Sequence, residues 1–532
     1  MQDIPALESG KGDFMKALRI SRWQGRAVAP LVGVTAMALL IGVGATGTAG
    51  AAGITNGGTL IVGTMSGGTS ESMSPASNAT NGEMMRKAQL YDRFFVFSDT
   101  GIPELSVLKK YSVSTDGLTV TLQLRPDIKW SDGSKATADD MLWTFKTWST
   151  SAFKMNGGLK ASVDFTGIKK IDNLTIQIPM KAANPALPSQ LASTLASFIK
   201  NGTEGKGFDL PIGTGPFKLV SWTPGGIYNF VANPYYWRTK LHLSKLVVNS
   251  SFTDSSALVN ALDSGQIDAA MQIPFSAATI VRSAGKKLLT STGFGMNAIT
   301  MRTDLAPFND PRVTLALKLI ANRNEIKSNA YLGFLKIGND LPGQGTQYFA
   351  SNLTRGQDIA QAKALLKAAG KSDLTVTLTI CDLVPGELEA GTLFAAQAKA
   401  AGVTVILKKV EAATYFSASA GWPYPMGVTT WSDSASTLAG FYALATGKGG
   451  YNETGFGDAA FSAKVAAASS TLDTAKAASL WAEIQTEMFN NGGYIVYGTP
   501  QFVDALDKSV RGLTSGSNWF LSGARLYKAW MD

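Results

Sequence analysis

The chain has 532 residues, enough for more than one domain, and its composition is that of an ordinary globular protein. Its net charge is +9, but the basic residues are scattered, with no Lys/Arg run interleaved with aromatics, so nucleic-acid binding gains no support. A single cysteine, Cys381, excludes an internal disulfide, and a single histidine, His242, excludes a multi-histidine metal centre and most histidine-based catalysis.

Along the chain, Lys16, Arg19, Arg22 and Arg26 precede an uncharged stretch from Ala27 that contains the apolar run 31–43, and Ala49-Gly50-Ala51 supplies an A-x-A cleavage signal. This pattern predicts an export signal over residues 1–51, cleaved after Ala51. Met15 offers an alternative start with a shorter basic region. The competing expectation is an uncleaved membrane anchor, because the apolar stretch approaches spanning length. No cysteine lies near the cleavage point, so a lipid anchor is not expected.

Residues 57–64 read as a first strand, followed by a polar loop, a helix over 82–93 and the short buried run 94–97. Residues 119–124 alternate with period two, as a half-buried strand does. Ser131-Asp132-Gly133 is a turn, and Thr137 with Asp139 and Asp140 begins a helix carrying Met141, Phe145 and Trp148. Gly213-Thr214-Gly215-Pro216 is a tight reversal before a strand. Asp310 is placed to cap a helix. A helix over 358–369 is closed by Gly370. The segments 374–380, 387–401 and 403–410 form a strand–helix–strand unit, with Cys381 a buried small apolar residue. Helices over 436–444 and 474–489 and a strand over 493–497 complete the pattern.

Arg125, Lys129, Trp130, Asp132, Gly133, Thr137, Ala138 and Asp140 fall in order and without a gap on a known signature. It resembles that of the family 5 extracytoplasmic solute-binding proteins, the peptide, oligopeptide and nickel receptors of ABC importers. Asp127 and Met141 depart mildly from it. Gly57-Gly58, Gly213 to Phe217, Asn233-Pro234 with Tyr236-Trp237, Ile267-Asp268, and Phe308 with Asp310, Arg312 and Val313 resemble further blocks of the same family, in the same order.

The resemblance implies an α/β, two-lobed periplasmic-binding-protein fold of type II, in the large class with an extra subdomain, with the ligand cleft between the lobes. Carried onto this chain, lobe I takes 52–95, 205–290 and 491–532, the extra subdomain 96–204, and lobe II 291–490. The implied function is a non-enzymatic, monomeric receptor. It captures a small peptide or similar organic ligand by hinge closure and delivers it to an ABC permease in the cytoplasmic membrane, without a cofactor or a bound metal.

For the ligand site the resemblance points to Thr429-Thr430-Trp431-Ser432-Asp433. Peptide-binding relatives place there an aspartate that pairs with the ligand's α-ammonium, a charge-assisted hydrogen bond. Asp433 falls on that position, although relatives commonly continue with Asp-Pro where this chain reads Ser434-Ala435-Ser436. The alternative is that Asp433 caps the helix 436–444. Trp431 and Tyr415 are candidate rings for packing the ligand, against the alternative of ordinary core packing. Ser432 and Asn452 complete the candidate set. Arg302 and Arg355 could take a ligand carboxylate, but neither lies in a specific motif. Other expectations are a nickel-chelate, opine or oligosaccharide receptor of the same family, an exported cell-wall hydrolase, and a membrane-anchored sensory domain.

Overall fold

The computed structural model describes residues 56–76, 80–150, 153, 157–381, 384–411, 415, 423–431, 437–449, 451–516 and 519–532. The expected export signal over 1–51 lies outside the described residues. Among the described residues, no helix is long and apolar enough to cross a membrane.

A twelve-stranded mixed sheet organises the chain. One half contains Thr59–Met65, which pairs in parallel with Lys245–Phe252, and the antiparallel strands Ile227–Ala232 and Phe217–Trp222. The other half contains Met296–Met301, Met426–Trp431, Thr375–Ile380 and Thr404–Lys409. The strand Tyr494–Leu506 belongs to both halves. Its first residues pair with Met296–Met301 and its last with Lys287–Thr292. The segment from Thr292 to Met296 and the segment from Gly498 to Gln501 therefore run side by side between the halves.

Hydrophobic cores lie on both halves. Leu60, Val62, Phe217, Leu246 and Leu506 belong to one cluster, and Ile299, Leu317, Leu378 and Phe394 to another. A third core belongs to the segment between Phe94 and Phe208, with its own sheet built on Leu108–Val113, Thr119–Leu124 and Thr175–Pro179. Trp130, Trp148, Phe145 and Phe198 are fully buried there. Burying aromatic surface of this size supplies most of the driving force for such a unit.

Local signals account for many element ends. Thr137 starts the helix Ala138–Ser149 in a capping box, with Asp140 Oδ2 accepting from Thr137 N at 2.7 Å. Asp310 caps Pro311–Ile320, accepting from Arg312 N at 2.9 Å. The strand–helix–strand unit is Thr375–Ile380, Glu387–Lys399 and Thr404–Lys409, with the two strands parallel. Cys381 at its edge is buried.

The motif blocks meet one another. A Cβ on Gly213 would lie 1.8 Å from Leu90 O, and one on Gly215 would lie 2.6 Å from Gln89 O. Only glycine lets this reversal reach the end of the helix Asn81–Leu90. Gly215 N donates to Leu90 O at 2.8 Å, and Asn233 Nδ2 donates to Gly215 O at 2.8 Å. Ser131 N donates to Gly213 O at 2.9 Å. The Arg125 guanidinium lies 4.7 Å from the Trp237 ring, and the Lys129 ammonium lies 5.6 Å from the Tyr235 ring. The signature thus clasps the aromatic-rich segment to the first half of the large sheet.

Candidate functional site

Beside the two inter-half segments lies a cavity of about 390 Å³. Thr290, Thr292, Gly293 and Gln501 line it from the strands that flank the passage, and Lys336 lines it from the strand Leu335–Ile337. Asp99, Gly345 and Ser515 close its other sides. The lining is mostly hydroxyl, amide and glycine. Asp99 is already ion-paired, with Arg525 Nη1 at 2.8 Å.

Near this passage, the strand Met426–Trp431 ends at Trp431, paired with Met296. Trp431 is 9% exposed. Phe441 stacks on it at 5.7 Å and 28°, and Tyr451 meets it edge-on at 6.0 Å and 71°. Tyr451 itself is 64% exposed. The Trp431 indole is further fixed by donation from Nε1 to Glu453 Oε2 at 3.2 Å.

Glu453 is the least expected member of this group. It is buried, with only neutral partners. Thr429 Oγ1 donates to Oε1 at 2.6 Å, and Tyr494 OH donates to Oε2 at 3.1 Å. Burial pushes its carboxyl up to about 7, against the pull of the bonds from Thr429, Trp431 and Tyr494.

That raised value carries a pH dependence. A carboxyl whose folded value exceeds its ordinary 4.5 stabilises fully below the unfolded value and loses that contribution as pH rises through about 7. The loss is of order 3 kcal/mol. Glu453→Gln keeps the bond pattern, since Oε1 of the amide can accept from Trp431 and Tyr494 while Nε2 donates to a rotated Thr429 hydroxyl. The variant is therefore expected to gain on the wild type as pH goes from 5 to 8. Urea unfolding of both proteins at the two pH values measures this. A difference between them that stays constant with pH would refute it.

The other candidates distribute unevenly. Ser432 and Asp433 lie outside the described residues. The alternative role for Asp433 is nevertheless filled by another residue: the helix Leu438–Ala445 is capped by Thr437, whose side chain accepts from Gly440 N at 3.0 Å. Asn452 spends its amide on the loop itself, donating to Gly447 O at 2.9 Å and Phe456 O at 3.0 Å. It holds Tyr451 and Glu453 in place from between them. Tyr415 is not brought to this wall. It is fully buried, accepts from Val428 N at 2.8 Å and donates to Val428 O at 2.7 Å, so its hydroxyl is occupied by main chain.

Both candidate arginines are engaged elsewhere. Arg302 Nε donates to Asp304 Oδ1 at 2.7 Å, and Arg355 Nε donates to the buried Asp340 at 2.8 Å. Sequence reasoning did not single out Glu453 or Lys336. Glu453 adjoins Asn452 in the chain, but nothing local announces its burial, and Lys336 sits in an unremarkable short strand. Among the described residues, no group of three or more His, Cys, Asp or Glu side chains is placed to hold a metal ion.

Residues 103–453, more than half of the chain, match the model for bacterial extracellular solute-binding proteins, family 5 Middle. The chain belongs to this family. Similarity to individual family 5 proteins is looser. The chain is 28% identical over 271 residues to the glutathione-binding protein GsiB of Salmonella paratyphi A, a match covering 49% of this chain and 52% of that protein. The chain thus spans about half the length of the curated relatives it matches. In structure it is similar to the ABC transporter substrate-binding protein CtaP of Listeria monocytogenes, with a TM-score of 0.78 and 20% identity over 90% of this chain and 99% of CtaP. It is also similar to the periplasmic binding protein DppA of Helicobacter pylori, solved with the peptide STSA, with a TM-score of 0.68 and 21% identity over 90% and 98%. These likenesses establish the fold, the type II periplasmic-binding-protein fold with its two lobes.

Proposed function

We propose that this family 5 chain is the substrate-binding protein of an ABC importer. In this reading it encloses a peptide or similarly sized organic solute between its lobes and presents the closed form to a membrane permease. The observation that carries the reading is the strand Tyr494–Leu506, shared by both halves of the sheet and running beside the 292–296 segment next to a polar cavity. Two adjacent extended segments are a natural hinge, because a few backbone torsions can reorient rigid bodies on either side. GsiB, named for glutathione, and DppA, solved with a peptide, support the ligand class.

In this reading lobe I comprises 52–95, 205–290 and 491–532, the extra subdomain 96–204, and lobe II 291–490. Trp431 and Tyr451 form an aromatic wall, and Asp433, two residues beyond Trp431, is the partner of a ligand ammonium. Ligand that touches both lobes only in the closed form shifts the population towards closure. No step of covalent chemistry is needed.

Native mass spectrometry of the purified protein is expected to show a retained ligand of peptide mass. Small-angle scattering should show a smaller radius of gyration with that ligand than after its removal. A radius unchanged at verified saturation would count against the hinge.

A further inference from the structure

We propose that a second, smaller cavity holds a free tetrahedral oxyanion, of the phosphate or sulfate kind, between the guanidiniums of Arg93 and Arg238. This cavity of about 90 Å³ is lined by Asp92, Arg93, Tyr236, Arg238, Arg525 and Tyr527, among others. None of its lining residues lies within 291–490, the range proposed for lobe II, so it is separate from the inter-lobe cleft. Three guanidiniums line it. Arg525 is neutralised by Asp99, 2.8 Å from Nη1. Arg93 and Arg238 have neutral hydrogen-bond partners among the described residues. Arg93 Nη1 donates to Ala192 O at 3.2 Å, and Arg238 Nη2 donates to Ser106 Oγ at 2.9 Å. The one acid in the lining is Asp92, which is buried and accepts from Trp237 Nε1 at 2.9 Å. The cavity wall thus carries one more cation than it has carboxyls to balance.

Desolvated cations call for a counter-charge, and burial pushes the Arg93 guanidinium down to about 10, with the Asp92 charge working against that shift. Both guanidiniums are held in place by rings: Arg93 lies 5.4 Å from Trp519 and Arg238 lies 4.6 Å from Trp237. Burial also pushes the hydroxyls of Tyr236 and Tyr527 up, so both stay protonated and able to donate. Donors therefore reach the cavity from three separate stretches of chain, at Arg93, at Tyr236 and Arg238, and at Tyr527. Four oxygens on one small centre suit such a surround, and guanidinium bonds to phosphate-like oxygens are strong. The volume is far below the roughly 300 Å³ at which pockets for larger organic ligands begin, so a peptide is excluded. The far wall is built at a cost. Leu521, Ser522, Gly523 and Ala524 all have φ between +46° and +74°, three of them not glycine. Asp504 accepts from Leu521 N at 2.5 Å and Gln89 Nε2 donates to Ala524 O at 2.8 Å, which holds this turn against the cavity. Ala192 and Ser106 lie in the segment proposed as the extra subdomain, so an anion here would tie that subdomain to lobe I.

The test uses the mature chain with sodium phosphate, sulfate, acetate or chloride at matched ionic strength. Each anion is kept at about 10 mM or below, where general exclusion effects of salt are small. Phosphate or sulfate should raise the melting temperature saturably, and calorimetry should give one site with a Kd of about 1 mM or tighter. Acetate and chloride should do neither. Arg93→Gln and Arg238→Gln should each weaken that site by about tenfold to a hundredfold, the range for a charged hydrogen bond. Crystals of the wild type soaked in selenate place the site without any variant, through an anomalous peak within hydrogen-bond reach of both guanidiniums. No saturable shift in the wild type, or no peak in this cavity, overturns the proposal. A peak without a saturable shift in solution marks an adventitious ion only and overturns it as well, as do variants that bind as the wild type does. Peptide binding enters none of these readouts, so the receptor reading stands or falls separately.

Discussion

Replacing Asp340 with asparagine is expected to lower the unfolding free energy by about 3–5 kcal/mol, the usual cost of removing one partner from a buried ionic group. The Asp340 side chain is fully buried and forms ion pairs with Arg323 and, at 2.8 Å, with Arg355. Lys318 is fully buried close by, donating to Phe489 O at 3.0 Å. Burial pushes the Lys318 ammonium down to about 8, and the Asp340 charge works against that shift. Without the carboxylate, three cations share an interior that solvates them poorly. Alanine should cost more than asparagine, because the residue sits at φ +66°, where asparagine is tolerated far better. Urea unfolding at pH 7 measures the loss. A decrease below about 1 kcal/mol would mean that water reaches the cluster and screens it. The consequence extends to the proposed ligand site, since Asp340 anchors the start of the loop whose Gly345 lines the cavity.

The second large effect concerns ligand affinity. If the ligand carries a free α-amine, Asp433→Asn should weaken binding by roughly 2–5 kcal/mol, because it leaves a desolvated ammonium without its counter-charge. That corresponds to tens- to thousands-fold in Kd. An acetylated peptide should bind the wild type poorly and be nearly indifferent to the substitution. The melting temperature of the unliganded protein should hardly move, since the helix start at Leu438 is capped by Thr437. Calorimetry with matched free and acetylated peptides separates the outcomes. Normal binding by the variant would remove the ammonium from the proposed site.

The parts of the chain easiest to read turn out to be architectural. Arg125, Lys129, Ser131, Gly213, Gly215, Asn233 and Trp237 were legible as blocks. Their contacts explain their form: glycines where backbone meets backbone, an asparagine that reaches a carbonyl, and cations over rings. None of them lines the cavity beside the inter-half segments. The candidate site was only partly legible. Trp431 ends the strand beside the passage between the halves, whereas Tyr415 is a core ring with its hydroxyl on the main chain, and Asn452 braces its own loop. Ring and amide side chains look alike in a sequence whether they face a ligand or a neighbour.

The sequence by itself determined the local elements, because their causes lie within a few residues: period-two alternation in Thr119–Leu124, caps at Thr137 and Asp310, glycine at reversals. It misjudged the strand expected over 493–497, which runs from Tyr494 to Leu506. Gly498 and Pro500 read locally as a break. Pairing with Lys287–Thr292, Met296–Met301 and Leu335–Ile337 carries the strand through them. Tertiary structure alone decided the electrostatics. It brought Arg323 and Arg355 to Asp340, buried Glu453 among neutral donors, and set Lys336 at the cavity with no ion pair among the described residues. Charge interactions depend on distance and solvent access in space, and spacing along the chain encodes neither.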